Sequence, residues 1–198
     1  MARFDQWVNR ETTDEAMRIE GLRRLKNETE VIMRETVVSS AVRGLKQAGV
    51  SIVCYLPDTH LKELYKAVVE DPELRSVCVT NEGEGIGICG GVFVSGKRSV
   101  MIMENSGLRV AAEPLARLGL GHGIPVVMIM SYRGEFGEPN WWGIPHGTTM
   151  KPVLDALRIP HRIVRQDEDV EAAIVGAFNH AYASSYHTAV VMAGGVIR

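Results

Sequence analysis

A glutamate opens a glycine-dense stretch, Asn81-Glu82-Gly83-Glu84-Gly85-Ile86-Gly87-Ile88-Cys89-Gly90-Gly91. A carboxylate at a helix N-terminus is favoured by the helix dipole, and a positioned carboxylate can hold or exchange a proton. Each of these glycines weakens a helix by about 1 kcal/mol relative to alanine. Their density therefore implies close approach by another backbone or by a ligand. Three further polar clusters follow apolar runs: Pro57-Asp58-Thr59-His60, Glu104-Asn105-Ser106-Gly107 and Ser131-Tyr132-Arg133-Gly134. Asp58 is open between a site carboxylate and a helix cap. Arg133 is open between an anion site and a structural ion pair. His60 and His146 are candidate proton donors or carboxylate binders.

The elements that must position these groups form a regular alternation. Apolar runs at Ser51 to Leu56, Ser76 to Thr80, Ser99 to Met103, Ile124 to Met130, His161 to Val164 and Thr188 to Met192 read as strands. Helical spacing marks Glu35 to Ala48, Leu61 to Val69, the glycine-rich stretch, Gly107 to Leu118, Lys151 to Leu157 and Val170 to Ser184. A long loop is expected over 131–149. Continuous apolar strands alternating with helices predict an α/β fold: a single doubly wound parallel sheet of about six strands with helices on both faces. Right-handed crossovers then bring all four clusters to one edge of the sheet. His122, in Gly121-His122-Gly123, falls on the opposite edge and reads as a turn residue. Residues 1–34 read as an N-terminal helical extension, either for docking or oligomer contact or as a solvated surface helix, and 35–198 as the domain.

Bulk properties exclude several classes. The 198 residues carry a net charge of -2, which leaves no electrostatic footprint for nucleic acid. The run from Ile124 to Met130 is far too short to cross a membrane, and no leader is read at the N-terminus. Cys54, Cys78 and Cys89 have no metal-type spacing and read as buried, reduced thiols. The cytoplasm is the expected compartment.

Taken together in this order, Leu56-Pro57-Asp58, Asn81-Glu82-Gly83 with its glycine-rich helix, Met103 through Leu108, Ser131-Tyr132-Arg133-Gly134-Glu135 and Leu154-Asp155-Ala156-Leu157-Arg158-Ile159-Pro160 resemble a known family. It is the pyrimidine-binding (PYR) domain of thiamine-diphosphate-dependent 2-oxo acid decarboxylases, above all the sulfopyruvate decarboxylase alpha subunit and the N-terminal half of phosphonopyruvate decarboxylase. The resemblance runs from about Val37 to Met192. It implies a shared site, in which this domain holds the aminopyrimidine and a PP domain holds the diphosphate through Mg2+. The PP signature, Gly-Asp-Gly followed by Asn, does not occur here, so a beta subunit is expected as partner, with further contacts between alpha subunits. No metal ligand is expected on this chain.

By the same resemblance Glu82 is the carboxylate that hydrogen-bonds N1′ of the cofactor, favouring the imino tautomer whose 4′-nitrogen removes the thiazolium C2 proton. Glu84 is implied to lie behind it or at the interface. Pro57, Asp58, Asn105, Ser106 and Gly107 are implied cofactor contacts, and His60, Arg133 and His146 weaker substrate contacts. The chain departs from its relatives at Arg109-Val110, where Gly-Asn is usual, at Tyr132, where histidine is usual, and at His146, where methionine is common. The indoles of Trp141 and Trp142 either wall a substrate pocket or anchor the loop. The implied reaction is non-oxidative decarboxylation of a 2-oxo acid to an aldehyde. A carboligase or carbon–carbon lyase on the same cofactor, and a non-catalytic regulatory module, stay open.

Overall fold

The structure, a computed structural model, describes residues 33–197. The expected N-terminal extension lies almost wholly outside the described residues. Six strands, β1 (Val50–Tyr55), β2 (Arg75–Cys78), β3 (Arg98–Glu104), β4 (Val127–Ser131), β5 (His161–Val164) and β6 (Thr188–Met192), form one sheet. Its order is β2-β1-β3-β4-β6-β5, and every pairing is parallel. Six α-helices cover it: α1 (Glu35–Gln47), α2 (Lys62–Glu70), α3 (Glu82–Val94), α4 (Gly107–Leu115), α5 (Ile144–Ala156) and α6 (Val170–Ser184).

Period-two alternation along the central strands splits the core into two layers. On one face Val100, Ile102, Val127, Ile129 and Val190 meet Val37, Ala41 and Leu45 of α1, Leu64 and Val68 of α2, and Ile174 and Phe178 of α6. On the other, Met101, Met103, Met128, Met130 and Val191 meet Ile86 of α3, Leu108 and Ala111 of α4, and Met150 and Leu154 of α5. Side chains buried this fully contribute about 1.5–3 kcal/mol each by transfer from water. No helix among the described residues is long and apolar enough to cross a membrane.

Three expectations need correction. The expected 131–149 loop is shorter, because α5 begins at Ile144 rather than Lys151. Its Pro145 sits in the first helical turn, where a missing N–H costs nothing. The helix expected through Leu118 is α-helical only to Leu115 and continues as a π-helical turn, Ala116–Gly121. Cys78 is exposed rather than buried, since β2 is an edge strand. Of the α3 glycines, Gly85 and Gly90 face Met101 and Leu118, where a Cβ would collide, but Gly87 and Gly91 have nothing within 4 Å. Packing within the chain therefore accounts for Gly85 and Gly90, and the other two face outward.

A buried histidine secures the π-helical turn. His187 accepts a hydrogen bond from Val126 N–H at Nδ1 (2.9 Å) and bonds Leu115 O through Nε2 (2.8 Å). The ring is therefore the Nε2–H tautomer, and burial holds its pKa below 6.5. His122 lies exposed just beyond this turn, on the amino edge.

Candidate active site

The chain leaves β1 toward β2 on one side, while β3 flanks β1 on the other. Such a reversal opens a crevice outside the carboxyl ends of the strands. Asp58 follows β1, Glu82 follows β2, Glu104 ends β3 with Asn105 just after it, and Ser131 ends β4. Strand register places Glu104 beside Ser131.

Much of this edge is a closed polar network. The Asp58 side chain, 7% exposed, accepts from His60 N–H (2.6 Å), Tyr65 OH (2.9 Å) and Ser131 OH (3.3 Å). Burial raises the Asp58 pKa against the pull of these donors, and burial beside Asp58 pushes the Tyr65 phenol up as well. Asn105, fully buried, clasps the backbone of Arg133: its amide donates to Arg133 O (2.9 Å) and accepts from Arg133 N–H (3.1 Å).

The Arg133 guanidinium lies between three groups. It meets a ring nitrogen of His60 at 3.2 Å, donates to Glu138 at 3.2 Å, and stacks 4.3 Å from the centre of the Trp142 ring. Its Nε makes no hydrogen bond among the described residues, although Glu138 Oε2 stands 3.1 Å away. The Glu138 side chain, 2% exposed, also accepts from Gly134 N–H (3.1 Å) and Asn140 N–H (3.2 Å). Burial opposes ionisation of Glu138, but those N–H groups and Arg133 outweigh it and hold its pKa below the usual range. Trp142 thus anchors the loop, while Trp141 stays 81% exposed.

Glu82 is finished differently. It is the first residue of α3 and only 8% exposed, yet none of its described neighbours hydrogen-bonds its carboxylate. The side chain lies flat against Gly107, the first residue of α4: a Cβ there would fall on Glu82 Cγ, Cδ and Oε1. Glu84 turns the other way. It is exposed, accepts from Thr80 N–H and Thr80 OH (2.7 Å each), and receives its own N–H cap from Asn81 Oδ1 (3.0 Å). These bonds, Thr80 N–H first, hold its pKa down. Glu84 is therefore a local clasp at the start of α3.

A third group spans α4 and α5. Arg109 donates to Thr149 OH (2.8 Å) and Pro145 O (3.2 Å), and meets His146 Nδ1 at 2.8 Å. His146 Nε2 is 3.8 Å from Glu104 Oε1. Pro57 is exposed and Ser106 half-buried. Sequence reasoning did not single out Glu138, Tyr65 or Glu104, and noted Arg109 only as a departure. Glu104 alone had a signal, as the polar residue ending an apolar strand.

Asp58, His60 and Glu104 each place one ligand-type atom within 4.8 Å of the others. Asp58 already accepts three hydrogen bonds, and the Arg133 guanidinium lies against the His60 ring. Glu82 and Gly107 fit a different guest: a carboxylate with open bonding capacity beside a bare Cα suits the edge of a flat heteroaromatic ring.

The fold matches a 2-oxoglutarate:ferredoxin oxidoreductase from Magnetococcus marinus with a TM-score of 0.65 and 18% identity, over 85% of this chain and 30% of that longer one. The likeness is one of fold, a doubly wound all-parallel sheet with helices on both faces. No protein-family model matches the chain. The sulfopyruvate decarboxylase subunit alpha of Methanocaldococcus jannaschii is 31% identical over 148 residues, 75% of this chain and 88% of that subunit. Phosphonopyruvate decarboxylase of Streptomyces viridochromogenes is 37% identical over 99 residues, 50% of this chain and 25% of that enzyme. The chain belongs to the sulfopyruvate decarboxylase alpha-subunit family.

Proposed function

We propose that this chain is the pyrimidine-holding alpha subunit of a heteromeric thiamine-diphosphate-dependent decarboxylase, converting an anionic 2-oxo acid of the sulfopyruvate or phosphonopyruvate type to an aldehyde and carbon dioxide. The observation that carries the reading is the Glu82 carboxylate, buried against Gly107 and bonded by no described group. When bound, thiamine diphosphate supplies a carbon nucleophile and an electron sink for loss of carbon dioxide. Glu82 holds the proton at the pyrimidine N1′ that sets the ring's tautomer. Gly107 keeps the floor beside Glu82 clear. Pro57, Asp58 and Ser106 shape the rim, and Asn105 fixes the loop that carries Arg133. The network of His60, Arg133, Glu138 and Trp142 closes the edge beside the site against water.

The diphosphate and Mg2+ belong, in this reading, to a beta subunit with a PP domain. The match to 88% of a protein named as a subunit supports such a partner. The outward face of α3, bare at Gly87 and Gly91, allows close approach by another chain, whether the beta subunit or a second alpha subunit.

The test is turnover by this chain mixed with a candidate PP-domain chain, thiamine diphosphate and Mg2+, using sulfopyruvate, phosphonopyruvate and pyruvate. Aldehyde plus carbon dioxide from the mixture alone is the expected result. An acyloin or a cleaved diketone would move the assignment to a carboligase or lyase. Association of the two chains without turnover of any substrate would leave a regulatory module.

A further inference from the structure

Arg109 and His146 are residues whose side-chain chemistry fixes a protonation pattern. A guanidinium has donors and no acceptor. With Arg109 at 2.8 Å from His146 Nδ1, that nitrogen must be the acceptor, and the ring proton sits on Nε2. Arg109 is held in turn by Thr149 OH and Pro145 O, so its own grip on the ring is fixed by the helix that carries His146. The Nε2–H points toward Glu104, but at 3.8 Å the contact is too long for a hydrogen bond. Among the described residues Nε2 has no other acceptor. A donor is thus set, and left open, at the carboxyl end of β3, with the His146 side chain 18% exposed.

We propose that Arg109 is a positioning residue that locks His146 as the neutral Nε2–H tautomer, and that this Nε2–H donates to the 2-oxo oxygen of the substrate. The proposal rests on the decarboxylase reading for its substrate and on this chain's geometry for its tautomer. Glu104 beside the donor disfavours a carboxylate in the same position, so the carbonyl oxygen is the better guest. That oxygen gains negative charge as the 2-oxo carbon is attacked, and a fixed donor is worth most where charge develops. Four charged groups face the ring: Glu104 from β3, Arg109 from α4, and Arg133 and Glu138 from the loop before α5. Burial is the largest influence and holds the His146 pKa below 6.5, with the two arginines adding to it and the two carboxylates opposing. Protonation at low pH would put a second N–H against Arg109 and break the clasp.

The experiment is two-bond 1H–15N NMR on the full chain in complex with its beta subunit, with 15N-histidine, alongside kinetics of the same complex. The expected wild-type pattern is His146 protonated at Nε2 and bare at Nδ1. Arg109→Met should mix the tautomers, raise the His146 pKa, and lower kcat/KM about tenfold, as for loss of one hydrogen bond to a charged group. His146→Gln, which keeps an N–H donor, should retain more activity than His146→Leu. Adding Arg109→Met to His146→Leu should cost nothing further. A wild-type Nδ1–H tautomer overturns the proposal whatever the turnover, and full additivity in the double variant overturns the positioning role. Failure of the functional reading looks different: the tautomer is as assigned, but the wild-type complex turns over no 2-oxo acid, which removes the donor role.

Discussion

Asp58 and Glu82 are carboxylates at the same sheet edge, with a 7% exposed side chain and an 8% exposed residue respectively, and they differ in what bonds them. Asp58 takes donors from His60, Tyr65 and Ser131, and its neighbour Glu138 takes them from Gly134, Asn140 and Arg133. Glu82 takes none from any described residue. A buried polar group is costly unless its bonds are made. The Asp58–Glu138 region makes them internally and so behaves as structure. The Glu82 region makes none of them with the described residues, which supports the binding role proposed for it. The contrast teaches that burial alone does not separate the two carboxylates; the bonds left open at Glu82 do.

The largest expected break in that contrast is Glu82→Gln. Turnover in the complex should fall by about 10²–10⁴, while the urea midpoint of the chain stays unchanged, because no internal bond is lost. A wild-type rate would remove Glu82 from the site. Gly107→Ala comes next. Its Cβ collides with Glu82, so turnover should fall with it, and overpacking should cost about 1–3 kcal/mol of stability by denaturant titration. Glu138→Gln inverts the pattern: it sets an amide N–H against donors and should lose about 2 kcal/mol of stability, with a smaller loss of rate than Glu82→Gln.

The amino edge supplies a milder test. His187 is neutral in the fold with its pKa held below 6.5, so the unfolded chain binds a proton first as pH falls. Its contribution is complete above pH 6.5 and is lost as pH drops through the folded value. Urea midpoints from pH 8 downward should show that slope, and His187→Gln should lack its share of it. The smallest effect belongs to Glu84→Gln: a slight drop in melting temperature and no change in turnover, because Glu84 only clasps Thr80 at the surface.

Legible in the sequence were the fold class, one parallel sheet of six strands covered on both faces, and several local elements. The last two strands and α6 fall where alternation and helical spacing put them, and Asn81-Glu82 sits at the start of α3 as its composition implied. The start of α5 was hidden because Gly143, Pro145 and Gly147 read as loop residues, although proline suits the first turn of a helix. The site's supports were illegible for another reason. Asn105 reaches Arg133 across 28 residues, Ser131 reaches Asp58 across 73, and Val126 reaches His187 across 61. Such bonds leave no period or spacing in the chain, and only the parallel sheet order brings their ends together.

Calorimetric titration of thiamine diphosphate with Mg2+ tests the central claim most directly, first into this chain alone and then into this chain with the proposed PP-domain partner. Binding only in the mixture, and weakened there by Glu82→Gln, is the predicted result: a site half built on this chain and finished by a partner. Tight binding to the lone chain would contradict it, because the site would then be complete without the second subunit.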